Sequence, residues 1–284
     1  MPGRRILTEE EFLLNAYSFI GPEFTQRRLI LKQTLQAFKD AEPPGRYTTL
    51  AMENLQRWHS ESQSSENNSE IVVLPGDWGE VTLGLAQKYG TCFAVLNMAN
   101  AYVPGGAYVE GAVAQEENMF RRTDCHFYIG EDEYDAEQDR YYPEVTQLLS
   151  AKDGIVYLDI EQPRICIRGS EDRSRQDLGY QWLADDQVFP FFELRAAAQD
   201  LRDGSAFNAE EARRRIAAQL DTLRKYHVRH AVLSAFGCGA FRNPAFDVAR
   251  LYREEIDKRR KDFSVIAFAI FAPGYGPDNY TPFA

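Results

Sequence analysis

The sequence predicts an α/β fold, a sheet covered by helices on both faces, preceded by a helical N-terminal extension. From Ile71 onward, short apolar runs alternate with amphipathic stretches of helical period, as strands joined by crossover helices do. Upstream, apolar residues recur at three- and four-residue spacings without strand-like alternation. The 284 residues, 44% apolar, 26% charged and 13% aromatic, have a globular composition that excludes a wholly disordered or collagen-like chain.

Residues 1–69 divide into helices and a linker. Phe12, Leu13 and Leu14, then Leu29, Ile30, Leu31, Leu35 and Phe38, mark helical faces, with breaks at Gly21-Pro22 and Pro43-Pro44-Gly45. Residues 60–69 have almost no apolar content to repay their ordering entropy, which predicts a polar linker. Residues 70–284 then form the α/β domain. Strands are expected at 71–74, 93–96, 155–158, 165–167, 231–233 and 265–270, with a helix through 81–88 after the first. Asn208 and Glu211 resemble a capping box ahead of Ala212, Ile216, Leu220 and Leu223, which share a face. Asn243 and Pro244 read as N-cap and first turn of a helix that buries Val248, Leu251, Tyr252 and Ile256.

Charge and cysteine usage narrow the partners. With 43 acidic against 32 basic residues, a net charge of −11 repels polyanions, so nucleic acid is not expected as a main partner. No apolar run reaches the roughly 18 residues of a membrane helix, and no signal-type run follows Met1 to Arg5. A soluble protein, cytoplasmic or otherwise intracellular and with no membrane partner, is the expectation. Cys92, Cys125, Cys166 and Cys238 show no Cys-x-x-Cys pattern and no histidine at ligand spacing, so no metal site is expected. The neighbours Cys125 and His126 are read as ordinary packing residues.

Two segments carry chemistry. In the first, the strand ending near Asn97 runs through Asn100 to Gly105-Gly106-Ala107, and a helix expected over 112–122 begins with Gln115-Glu116-Glu117. Ligands bind where strands end in open α/β sheets, and a glycine pair permits close backbone approach. On that helix Val113, Glu117 and Phe120 share one stripe while Ala112, Glu116 and Met119 share the next, so both carboxylates interrupt apolar faces. The bland alternative is an ion pair from Glu117 to Arg121, one turn on. Against it, adjacent carboxylates in a poorly solvated cleft push one pKa upward by more than a helix N-terminus lowers it, which leaves a general acid. In the second segment, Gly237-Cys238-Gly239-Ala240-Phe241 follows a strand and leads into a helix; its small residues expose backbone N–H groups suited to a diphosphate. A tight strand-to-helix turn would look the same. Cys238 is not expected to be a nucleophile, because no base lies near it in sequence.

Together these segments resemble the macrodomain superfamily, and within it the microbial-type poly(ADP-ribose) glycohydrolase branch. The likeness rests on Gly105-Gly106-Ala107, a spacer and Gln115-Glu116-Glu117, on the approach from Asn97 to Pro104, and on Gly237 through Pro244. It extends to the strand Phe268-Ala269-Ile270 and to Asn279-Tyr280-Thr281-Pro282-Phe283 after it. The resemblance implies a three-layer αβα sandwich around a mixed sheet over residues 70–284 and an ADP-ribose ligand. Asn97, Asn100 and Gln115 would belong to its binding site, with Asn100 at the ribose nearest the scissile bond. Gly105, Gly106, Gly237, Cys238, Gly239, Ala240 and Phe241 would hold the diphosphate, Ala107 would line the binding site beside them, and Phe283 would border the adenine. Glu116 would hold ribose hydroxyls and Glu117 would be the catalytic acid, with no metal or cofactor. Ala107 stands where the branch usually has a third glycine, a methyl group that could shift the turn. The acidic loop over 131–139 reads as a solvated surface loop, but Asp124 or Asp132 could meet a guanidinium, which would favour ADP-ribosyl-arginine on a protein over a polymer. The expected function is therefore an ADP-ribosyl glycohydrolase. The alternatives are a reader that binds ADP-ribose without cleaving it and an interaction protein working through residues 1–69.

Overall fold

Every residue of β8 (Val265–Ile270) is buried, and alternate side chains enter different cores, which defines the layers. Val265, Ala267 and Ala269 face one core, while Ile266, Phe268 and Ile270 face another across the sheet. The computed structural model describes residues 3–8, 10–11, 19–62, 69–272 and 276–284; the expected helical turn at 12–14 and the middle of the polar linker, 63–68, lie outside them. The other strands are β1 (Glu70–Pro75), β2 (Ala94–Met98), β5 (Tyr157–Cys166), β6 (Phe189–Ala196) and β7 (His230–Leu233), with a small hairpin of β3 (Tyr134–Asp135) and β4 (Arg140–Tyr141). The main sheet runs β1-β8-β7-β2-β6-β5, parallel except for β5, which is antiparallel to β6. The helices are α1 (Pro22–Lys39), α2 (Arg46–Glu61), α3 (Trp78–Tyr89), α4 (Gln115–Arg122), α5 (Pro143–Leu149), α6 (Ala209–Lys225) and α7 (Ala245–Asp257).

Ile216, Leu220 and Leu223 of α6 and Val248, Leu251 and Tyr252 of α7 fill one core; Leu31, Trp58, Val81, Leu85, Met119 and Phe120, from α1 to α4, fill the other. This is the expected three-layer αβα arrangement on a mixed sheet. Asn208 caps α6 by accepting from the N–H groups of Glu210 and Glu211, both at 3.1 Å. Strand β7 sends its connection to α7 on one face, whereas its neighbour β2 leads to α4 on the other. The sheet therefore has a topological switch point between β2 and β7, where a crevice opens at the strand ends.

Three expectations differ from the structure. Strand β6 was not among the strands expected, because Pro190, Glu193 and Arg195 break its apolar run; Glu193 and Arg195 are nevertheless buried and charge-paired with Arg164 and Glu133. The runs at 155–158 and 165–167 belong largely to one strand, β5, whose register shifts between Asp159 and Arg164. The helix α7 begins at Ala245 with Pro244 at its N-cap, so Asn243 is not the cap; its amide turns inward.

The N-terminal helices, set apart by composition, pack closely on the α/β part. Thr34 Oγ1 of α1 donates to the Arg121 carbonyl at 2.8 Å, and the Asn54 amide of α2 donates to the Val188 carbonyl at 2.9 Å. Leu31 is fully buried in the core shared with α4. We predict that Leu31→Ala lowers the stability of the whole α/β unit by about 2–5 kcal/mol. In thermal unfolding followed by circular dichroism this appears as one transition moved down; a separate early step with the main transition unmoved would show that the helices melt on their own.

Candidate active site

The crevice at the switch point begins where β7 leaves β2. Strand β7 pairs with β2 at Ala94 and Val95, whereas β6 follows β2 to Met98. Phe93 O and Ala99 N bond toward β6, so Leu96 and Met98 point toward the edge that β7 vacates. The Gln115 side chain fills that edge: its Nε2 donates to Leu96 O at 2.8 Å, and its Oε1 accepts from Met98 N at 2.9 Å. Gln115 thus clips the start of α4 to the end of the strand, and Glu116 and Glu117 are presented in the first helical turn. Residues 112–114 are not helical, so Ala112 and Val113 do not belong to the expected stripes.

The glycine turn is built around the two carboxylates. Glu116, 3% exposed, accepts from Asn100 N at 2.7 Å with Oε2 and from Gly105 N at 3.1 Å with Oε1. Glu117, partly buried, accepts from Ala107 N at 3.1 Å with Oε1; no other residue among those described donates to its Oε2. Gly105 and Gly106 both have positive φ, 71° and 57°. A Cβ on Gly106 would strike Glu117 Oε1 and lie 3.3 Å from Glu116 Oε2, and one on Gly105 would strike Tyr108 and Phe120. Two glycines are needed for conformation and for space. Ala107 has no positive φ, so its methyl group does not disturb the turn.

Burial pushes both carboxyls upward, at Glu116 together with the charge of Glu117, against the pull of the Asn100 N–H on Glu116 and of the N–H groups of Glu117 itself and Ala107 on Glu117. The bland alternative for Glu117 is not what forms. Arg121 is fully buried and donates to Ala112 O at 2.7 Å and to Tyr180 Oη at 3.0 Å instead. The N–H groups of Gly105, Gly106 and Ala107 go to Glu116, Val103 O and Glu117, so this turn holds the carboxylates and has no N–H left for a diphosphate.

The second loop has the opposite character. Gly237 has φ 75°, and a Cβ there would meet Ala198 and Asn243. The Asn243 amide donates to Gln199 O at 2.7 Å and Gly237 O at 3.1 Å, stitching this loop to the one after β6. The N–H groups of Gly239, Ala240 and Phe241 meet no protein acceptor among the described residues, and Gly239 and Ala240 are exposed. Arg202 lies 5.0 Å from the Phe241 ring, with Glu117 among the charges acting on it. Cys238 is 2% exposed and its thiol is pushed up to about 12 by burial, so it is no nucleophile.

Other expected site residues lie elsewhere. Asn97 is fully buried and donates to Glu193 Oε1 at 2.9 Å, beneath the crevice. Asn100 uses its side-chain oxygen to hold Tyr102 N and Val103 N at 2.8 and 3.0 Å. Phe283 packs on Phe268 and Tyr252 and borders a cavity of about 660 Å³ along α7, to which neither glutamate nor the glycine turn contributes. Asp124, expected near an acceptor, is 6% exposed and accepts from Ile165 N at 2.7 Å; it ties α4 to β5. Asp132 is exposed, on a loop anchored by Glu133 to Arg195 and by Asp139 to Arg4. His126 is a core residue bonded to Tyr108 Oη at 2.7 Å, its pKa pushed down to about 4 by burial. Sequence reasoning missed Arg4, Arg195 and Arg202; charge in an apolar run was the signal for Arg195, and for Arg4 and Arg202 there was none.

Residues 28–152 match the family model described as the catalytic domain of microbial-type PARG. The match starts within α1, includes the glycine turn and both glutamates, and stops short of the second loop. No curated protein matches the sequence. Poly(ADP-ribose) glycohydrolase from Thermomonospora curvata is similar in structure, with a TM-score of 0.61 and 20% identity over 91% of this chain and 98% of that one. Its complex with the inhibitor ADP-HPD gives 0.59 at 20% identity over the same shares. The Deinococcus radiodurans enzyme in complex with ADP-ribose gives 0.53 at 21% identity over 84% and 90%. These likenesses bear out the macrodomain-like fold, and the family match over residues 28–152 agrees with the resemblance to the microbial-type poly(ADP-ribose) glycohydrolase branch read from the sequence.

Placing Asp124 in the core has a measurable consequence. Burial raises its carboxyl to about 7, against an unfolded value of about 3.9. Between these values the folded state holds a proton that the unfolded state has lost, so this group's contribution to stability is full below about pH 4 and is lost as pH rises through 7. We predict that Asp124→Asn gains stability relative to wild type across that window and levels off above it, as measured by urea unfolding at a series of pH values. A constant difference across the series would contradict this.

Proposed function

We propose that the protein is a glycohydrolase that binds ADP-ribose and cleaves the bond from its anomeric ribose carbon to an acceptor. The observation that carries this reading is Glu117: an inward carboxyl with a raised pKa, oriented through Oε1 by the Ala107 peptide N–H, with no other residue among those described donating to its Oε2. A reader needs no such group. The exposed N–H groups of Gly239, Ala240 and Phe241, at the approach to α7 and near Arg202, suit a diphosphate. Glu117 gives its proton to the leaving acceptor atom as the bond to the anomeric carbon opens toward an oxocarbenium ion. Water adds to that carbon, and its proton returns to Glu117. Glu116, with both oxygens engaged by backbone, fixes the turn and keeps lone pairs for ribose hydroxyls.

The acceptor is an ADP-ribose unit of a chain in this reading, since the structurally similar enzymes are named for poly(ADP-ribose). Linkage to a protein side chain, arginine included, is the finer alternative, and Asp132 is the exposed carboxylate available to it. The experiment offers matched substrates carrying ADP-ribose on a chain, arginine, serine or a carboxylate and measures released ADP-ribose. We predict that Glu117→Gln loses turnover by about 10²-fold or more while calorimetry shows ADP-ribose affinity within a few-fold of wild type. Turnover should also fall on the alkaline side, where Glu117 loses its proton. Equal turnover by the variant removes Glu117 from the mechanism, and no turnover by wild type on any substrate favours a reader.

A further inference from the structure

Arg4 is a buried cation that neither the sheet nor the two loops account for. It is 5% exposed. Its Nε and Nη2 donate to the two oxygens of Asp139 at 2.8 and 2.5 Å, and Nη2 also reaches Glu110 Oε1 at 3.1 Å. The remaining arm, Nη1, donates to the Gly106 carbonyl at 2.5 Å. That carbonyl belongs to the same peptide plane as the Ala107 N–H, which donates to Glu117 Oε1. A cation on an amide oxygen draws electron density from the nitrogen and makes the N–H a stronger donor.

We infer that Arg4 is a positioning residue for the catalytic acid, acting through the Gly106–Ala107 peptide to hold and polarise the N–H that orients Glu117. This rests on the hydrolase reading above. Arg4 touches neither glutamate. The Asp139 fork fixes the guanidinium in the plane it needs, and Tyr134 Oη braces Asp139 in turn. Arginine suits the position because one arm reaches the carbonyl while the others stay on carboxylates, which an ammonium serves less well.

The groups facing Glu117 set the direction of the effect. Glu116 and Arg121 come from α4, Glu110 from the segment before it and Arg202 from the loop after β6. Glu110 pushes the Glu117 carboxyl up, and Arg4 lies between them in charge terms, paired to Glu110. Loss of Arg4 weakens the Ala107 N–H bond to the carboxylate and leaves Glu110 uncompensated. Both changes make Glu117 a weaker acid.

The test compares wild type, Arg4→Gln and Arg4→Lys in the full chain. The Glu117 carboxyl is titrated by ¹³C NMR, assigned with Glu117→Gln; the Ala107 amide proton shift is recorded; and kcat and KM on poly(ADP-ribose) are measured against pH. Arg4→Gln is expected to raise the Glu117 midpoint and the alkaline limb of kcat by about half a pH unit or more. It should also move the Ala107 proton upfield and lower kcat about tenfold with KM within about threefold. Arg4→Lys should fall between Arg4→Gln and wild type on each. An unshifted Glu117 midpoint, or a loss of kcat with an unshifted limb, overturns the relay. If Arg4→Gln does not fold, Arg4→Lys decides by the same midpoint and amide shift. If wild type cleaves nothing, the hydrolase reading fails, while the NMR midpoint still decides whether Arg4 acts on Glu117.

Discussion

The site depends on one constraint: two adjacent carboxylates are held inside by backbone N–H groups of a turn that has no side chains in the way. Burying a carboxylate costs several kcal/mol unless its oxygens are hydrogen-bonded. Asn100, Gly105 and Ala107 supply those donors, and the positive φ angles of Gly105 and Gly106 aim them. The dependence runs both ways, because a turn with that many N–H groups directed inward needs acceptors as strong as carboxylates. Gln115 completes the unit by tying the start of α4 to β2 where β7 has left it. The Gln-Glu-Glu sequence is thus one clip followed by two anchors.

This arrangement divides the work between the loops. A turn whose N–H groups are committed to glutamates has none left for a diphosphate, so the proposed reading assigns anion binding to the loop after β7. There the small residues leave N–H groups exposed, and Asn243 spends its amide on loop carbonyls instead of capping α7. Arg202, which lies against the Phe241 ring, feels the charge of Glu117, so the two loops lie near one another. Acid chemistry and anion binding can then sit side by side without competing for the same donors.

Much of this was legible in the sequence, and the rest was hidden for physical reasons. Strands β1, β2, β7 and β8 announce themselves as apolar runs, and the paired glutamates as carboxylates on apolar faces. The strand β6 was hidden because Glu193 and Arg195 are buried with partners from β5 and the β3–β4 hairpin, and such pairing is invisible until those elements meet. Asp124 had the opposite fault: a carboxylate near an acidic loop was expected to meet an acceptor guanidinium, but it accepts from the Ile165 N–H in the core. The turn was recognisable by its glycines, yet which ligand its N–H groups serve could not be read without geometry. Arg4 had no local signal, since every partner it has lies more than a hundred residues away.

The glutamates titrate as a pair, and the structure indicates which one holds the shared proton. Deeper burial alone would favour Glu116, and the neighbouring Glu193 pushes the same way. Arg195 opposes that push and also lies against Glu193, so the buried charges below the crevice largely offset one another. What separates the two carboxyls is hydrogen bonding. Protonation of either Glu116 oxygen weakens a bond from Asn100 N or Gly105 N, whereas Glu117 can take a proton on Oε2 and keep its bond to Ala107 on Oε1. The hydrogen bonds thus favour Glu117 as the protonated partner, which is the assignment the proposed mechanism uses. On that assignment the charge stays on Glu116, held by two backbone N–H groups, and a single proton serves the pair.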